Sequence, residues 1–234
     1  MKNLTPTTLC KSSHRKGFTL AEILITLTVI GVVAALTIPT LLQNTNQAEF
    51  KTALKRTFAD LSQATIMIRN EKGGSLKNAF GNSNLADSEN LKNAYRDKLS
   101  YIKDCSGDAD NGGTSTGVSD LGCWHKTNQW QYLNGGNPGI RKDAGLILSN
   151  GTLIYFDVNS SSCAGQTGDY YRCGFIIFDV NGFKKPNTIG KDIFAVNITD
   201  SELIPIGARG FYDSSTDCTS TGYGFGCTAK FLYE

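Results

Sequence analysis

From Phe18 to Leu42 the chain reads FTLAEILITLTVIGVVAALTIPTLL, and the only charge in those 25 residues is Glu22. At a rise of about 1.5 Å per residue, such a helix crosses a hydrocarbon core of about 30 Å. In front of it, residues 1–17 carry Lys2, Lys11, Arg15 and Lys16 and no acid. Positive charge ahead of the span predicts a cytoplasmic leader and an exported carboxyl end. A cleaved secretory signal would have a shorter apolar core of about 7 to 15 residues with a small-residue site behind it. Here the core is longer and runs into Gln43-Asn44-Thr45-Asn46. A plain anchor explains length and orientation but not Glu22, because a carboxylate at membrane depth costs about 2.5–3.5 kcal/mol unless it is partnered.

The run Lys16-Gly17-Phe18-Thr19-Leu20-Ala21-Glu22, followed by an apolar helix, resembles the amino-terminal signature of type IV pilins and type II secretion pseudopilins. The resemblance covers about residues 11 to 70. It implies cleavage between Gly17 and Phe18 by a prepilin peptidase and methylation of the new Phe18 amine. The family's glutamate, fifth in the mature chain, maps onto Glu22, and its mid-helix proline onto Pro39. The resemblance further implies a pilin-like α+β fold, a long N-terminal helix packed on a C-terminal antiparallel sheet. The implied partners are copies of the chain or other pilin-like subunits, the peptidase, an inner-membrane assembly platform and membrane lipid. The implied location is a single-pass inner-membrane precursor with its head outside the cytoplasm, and then a periplasmic or cell-surface filament.

The chemistry of that start can be derived independently. A cationic amine at Phe18 and the carboxylate of a neighbouring subunit's Glu22 would each offset the other's burial penalty inside an apolar bundle, and the pairing would set the stagger between subunits. Pro39 removes one intrahelical hydrogen bond and predicts a bend or local melting over Leu36–Pro39, or else a helix end. Beyond it Phe50, Leu54, Phe58, Leu61, Thr65 and Ile68 recur at spacings of three and four, with Lys51, Lys55, Arg56 and Asp60 between them. This is an amphipathic continuation that Gly73-Gly74 should end. The expected organisation is a leader at 1–17, a membrane or filament-core helix at 18–42, an amphipathic helix at 43–72 and a disulfide-containing head at 73–234.

Within the head, a short helix is expected from about Ser88, with Ser88-Glu89-Asn90-Leu91 as its start. Ser106–Leu121 has no apolar period and predicts an exposed loop; Asp108, Asp110 and Asn111 lack the register of an EF-hand. Two β-rich runs around Ser149-Asn150-Gly151 predict a hairpin, and Cys173–Val180 and Ile193–Ile198 predict two further strands. The sheet they form should receive the helix stripe.

Removing Cys10 with the leader leaves Cys105, Cys123, Cys163, Cys173, Cys218 and Cys227 in an oxidising compartment. Fifteen pairings of six cysteines are possible, and the Gly/Ser/Asp-rich intervals favour Cys105 with Cys123, Cys163 with Cys173 and Cys218 with Cys227. The segment Asp179–Asp192 is similar to the calcium-bearing loop of major pseudopilins. Asp179, Asn181, Asn187 and Asp192 with main-chain carbonyls can be read as calcium ligands, or as the turns of a rigid connector in which Asp192 receives backbone amides. No cofactor is required by the sequence, and calcium is the one candidate.

Two histidines, His14 and His125, leave little for imidazole catalysis or zinc, and a formal charge of +2 offers no basic field for nucleic acid. Loss of the leader's four basic residues turns +2 into −2. The expected function is a non-enzymatic structural subunit of a pilus-like or pseudopilus-like filament. The alternative is a membrane-tethered binding domain, adhesin-like or calcium-binding, in which aromatics such as Trp124, Trp130, Tyr170 and Tyr171 line a site or, instead, pack beneath the disulfide loops.

Overall fold

The structure, a computed structural model, describes residues 17–80, 84–106, 117–139, 143–167, 170–210 and 212–234. The leader up to Lys16 and the Asp108–Asn111 stretch lie outside the described residues. The chain divides into two units, 1–45 and 46–234.

In the first unit, helix α1 (Leu20–Glu71) begins, and it continues into the second. Over Leu20–Pro39 its mean hydropathy is 2.3 and none of it is buried. The local melting expected over Leu36–Pro39 does not occur: the helix runs through Pro39 without interruption. One missing amide among the many bonds of a long helix is too small a loss to end it.

In the second unit α1 turns amphipathic and stops at Glu71, where Lys72 and Gly74 donate to the carbonyls of Ile68 and Arg69. Gly73 and Gly74 lie in the left-handed region at φ 76° and 95°, a conformation that side chains resist. A 3₁₀ turn (Leu76–Ala79) and helix α2 (Asn84–Arg96) follow. Helix α2 begins four residues ahead of Ser88, so that residue is no cap. Ser88 is buried inside the helix, and its hydroxyl takes the Val158 amide at 2.8 Å.

The strands are β1 (Tyr101–Ser106), β2 (Ala144–Leu148), β3 (Leu153–Val158), β4 (Gly165–Thr167), β5 (Tyr170–Arg172), β6 (Gly174–Asp179), β7 (Ile193–Ile198) and β8 (Leu203–Pro205). Six form one antiparallel sheet in the order β1-β2-β3-β6-β7-β8, and β4-β5 is a separate hairpin. The Asn150-Gly151 turn joins β2 to β3, placing Leu146 opposite Ile154. Two short helices, α3 (Ser214–Asp217) and α4 (Cys227–Tyr233), close the chain.

One sheet face shares a core with α1 and α2: Leu54, Leu61, Ala64 and Ile68 join Leu91, Tyr95, Phe156, Phe178, Phe194 and Val196. The opposite face is buried as well, by Trp124, Trp130, Val118, Ile189 and Phe225 over Tyr155, Ile177, Ile193 and Ala195. Strand β7 is therefore covered on both sides along its whole length, which explains its near-continuous apolar sequence. Val118 and Ser119 are buried too, so the loop expected to be exposed as far as Leu121 folds inward at its carboxyl end.

Candidate functional site

Gly17 and Phe18 precede the first helical residue, and Phe18 is 84% exposed. An extended, accessible peptide is what a protease needs, because a helix hides its scissile bond in the ladder. Two residues on, Thr19 and Glu22 close a reciprocal cap. The Glu22 carboxylate accepts from the Thr19 amide and hydroxyl, both at 2.8 Å, and the Thr19 hydroxyl accepts the Glu22 amide at 3.3 Å. This is a capping box, worth about 1 kcal/mol to the helix start. The sequence signal, Thr-x-x-Glu ahead of an apolar run, was available for it, and Thr19 is thus a positioning residue for Glu22. Among the described residues the carboxylate has polar partners only on its own first turn, and Leu20, Leu24 and Leu27 are all exposed. Pro39 lies farther along the same exposed helix.

Six cysteines of the head form Cys105–Cys123, Cys163–Cys173 and Cys218–Cys227. Each closes a short interval that carries little apolar sequence. Cys105–Cys123 ties the edge strand β1 to the segment bearing Trp124. Trp124 and Trp130 pack against one another at 5.5 Å and are 1% and 2% exposed, so the two indoles serve the core. The Tyr170 hydroxyl accepts from Asn197 at 2.6 Å and the Arg209 guanidinium lies 5.6 Å from its ring centre, whereas Tyr171 is exposed.

The β6–β7 connection places Asp179, Asn181, Asn187 and Asp192 in one loop. Asp192 accepts the amides of Asn187 and Thr188, each at 2.7 Å. Asp179 accepts the Asn181 amide at 3.0 Å and bonds His125 Nε2 at 2.8 Å. Both carboxylates are buried, and burial raises them, Asp179 further because Asp192 lies near. Burial also pushes His125 down to about 4. A buried imidazole and carboxyl in contact avoid two isolated charges by keeping one proton between them. The Oδ1 atoms of Asn181 and Asn187 are buried without a hydrogen-bond partner among the described residues, and as acceptors they suit a cation. The carboxylate oxygens suit it less, since amides and His125 already occupy them. Among the described residues no three His, Cys, Asp or Glu side chains converge for a metal. As it stands the loop is a connector whose acids bind its own backbone. His125, which sequence reasoning set aside as an isolated imidazole, is its deepest partner; no local motif joins residues 54 apart.

No curated protein and no solved structure matches the chain. Residues 12–38 match the family model described as the prokaryotic N-terminal methylation motif, and with Gly17, Phe18 and Glu22 inside that stretch the chain carries the prepilin signature of type IV pilins and pseudopilins.

Proposed function

We propose that this chain is a structural subunit of a type IV pilus-like or type II secretion pseudopilus-like filament. It enters the inner membrane as a precursor with its head outside the cytoplasm. Prepilin peptidase cuts between Gly17 and Phe18, and the amine of Phe18 is methylated. The observation that carries the reading is an apolar helix start with no buried residue over Leu20–Pro39 and one carboxylate, Glu22, at its head. Such a surface is stable in lipid or among other copies of itself, not in water. After cleavage the Phe18 amine of one subunit and Glu22 of the next would neutralise each other in the filament core, so that charge pairing sets their stagger.

Mass spectrometry of the protein purified from its membrane tests this. The expected mature chain begins at methylated Phe18; functional filaments built from chains that still begin at Met1 would overturn the processing. The alternative, a tethered binding domain that uses the same anchor, requires no such cleavage.

A further inference from the structure

The head carries a cleft that the pairing of Phe18 with Glu22 does not involve. It measures about 190 Å³ and is lined by Tyr132, Arg172, Phe175, Ile206, Tyr212 and Phe225. Its rings pack on one another: Tyr132 meets Tyr223 at 4.8 Å, and Tyr212 meets Phe225 at 5.2 Å. A cluster of this kind normally lies inside a protein. Here Tyr212 and Tyr223 stay 40% and 47% exposed.

The cleft is also built rigidly. The Cys218–Cys227 disulfide closes the segment behind it, and Asp217 accepts the amides of Tyr223 and Gly226, both at 2.8 Å. Tyr212 holds φ 64°, a conformation that a bulky side chain adopts only under constraint. Gly226 makes room for it, since a Cβ there would lie 2.4 Å from the Tyr212 carbonyl oxygen. Across the cleft the Arg172 guanidinium lies 5.9 Å from the Phe175 ring centre and has no carboxylate partner among the described residues.

We propose that this cleft binds an acidic sugar unit of a glycan, a uronic or sialic acid, with the sugar ring stacked on Tyr212 and the carboxylate paired with Arg172. Three arguments select that class. The volume suits one six-membered ring and falls below the ~300 Å³ at which drug-sized sites begin. An aromatic face carries partial negative charge and receives the polarised C–H groups of a pyranose. The planar guanidinium fork matches a carboxylate bidentately. A nucleic-acid strand fits less well, because a polyanion is held by several cations at once and the exported chain is net −2.

The test uses the full-length chain in detergent micelles, with tyrosine fluorescence and saturation-transfer NMR as readouts. The probes are glucuronate, N-acetylneuraminate, glucose, the methyl ester of glucuronate and a single-stranded oligothymidylate. At least one of the two acids should bind with Kd of ~1 mM, and glucose and the ester about tenfold more weakly. Arg172→Gln should erase that preference, and Arg172→Lys, which keeps the charge without the fork, should restore part of it. Tyr212→Ala should weaken binding about tenfold. Because that change can disturb the loop, the surface variant Tyr223→Ala, expected to weaken binding by a smaller factor, is compared at unchanged circular dichroism. No binding of either acid at ~20 mM would overturn the proposal. So would acids no better than glucose, acid binding indifferent to Arg172→Gln, or an oligothymidylate that displaces the acids and binds more tightly.

Discussion

The two units of this chain solve the burial of apolar surface in opposite ways. Over Leu20–Pro39 every leucine, isoleucine and valine is exposed, whereas the strand of the head with the same kind of sequence, β7, is buried at all six positions. The first must be covered by something other than this chain. The second is covered by two layers of it: α1, α2 and the Phe231 and Leu232 side chains of α4 on one face, the Trp124–Trp130 segment and Phe225 on the other. Hydropathy alone therefore does not distinguish a surface that awaits lipid or a partner from a core; the presence of complementary elements elsewhere in the chain does.

The largest effect that would sharpen this contrast is expected from Glu22→Ala. Filament yield should fall to background in cells lacking other copies of the protein, while the melting curve of the head is unchanged, because among the described residues Glu22 bonds only Thr19. Normal filaments would remove Glu22 from assembly. The same contrast in stability comes from two leucines. Leu61→Ala, at a fully buried position, should cost about 2–5 kcal/mol in chemical denaturation of the head. Leu27→Ala, at a residue 61% exposed, should leave the head within about 0.5 kcal/mol. Equal costs would break the division between the units.

Next in size are the cross-links. Replacing Cys105 and Cys123 by serine should lower head stability by about 2–4 kcal/mol, since the bridge restricts the unfolded chain. Thiol titration of the native chain lacking residues 1–17, and so Cys10, should find no free cysteine, and a count of six would refute all three pairs.

A smaller and more diagnostic effect concerns His125 and Asp179. From pH 6.5 down to about 4 the unfolded imidazole takes a proton that the buried one refuses, which by itself lowers stability as pH falls. Asp179 has the opposite sign: raised above 3.8, the folded carboxyl keeps a proton that the unfolded one has released, so its contribution is lost as pH rises. Within that window the two contributions oppose each other, so wild-type stability should change with pH less steeply than it would with His125 alone. Asp179→Asn removes the compensation, and stability should then drop on acidification by up to about 1.4 kcal/mol per pH unit. A wild type as steep as the variant would show that the pair does not share a proton. The smallest expected effect is that of calcium. With Asp192 bonded to Asn187 and Thr188, millimolar calcium against chelator should leave the melting midpoint unmoved. A rise that Asp192→Ala abolishes would instead give the unpartnered Asn181 and Asn187 oxygens a cation.

Much of the fold was legible wherever a local pattern carries its own physics. β-rich runs on either side of Asn150-Gly151 located β2 and β3, and the three-and-four spacing from Phe50 to Ile68 located the buried stripe of α1. The Gly/Ser-rich intervals pointed to the sequential disulfides that the structure contains. Strands β1 and β8 escaped notice because YIKDCS and LIP are too short and mixed to signal a strand alone; hydrogen bonds to β2 and β7 make them strands. Ser88 misled for a related reason. A capping residue and a buried hydrogen-bond acceptor look alike in sequence, and only the Val158 amide decides between them.

The sequence by itself determined the properties that depend on neighbours along the chain. These are an apolar span behind a basic leader, the Gly17-Phe18 junction, the single carboxylate at Glu22 and the helical stripe beyond Pro39. Only the tertiary structure decided what depends on residues distant in the chain. Closing the sheet buried its second face under the tryptophans, paired His125 with Asp179, and gathered Arg172, Tyr132 and Tyr212 around one cleft. The physical reason is range: backbone periodicity and charge order act over a few residues, while burial and proton sharing are set by whatever packing brings within a few ångströms.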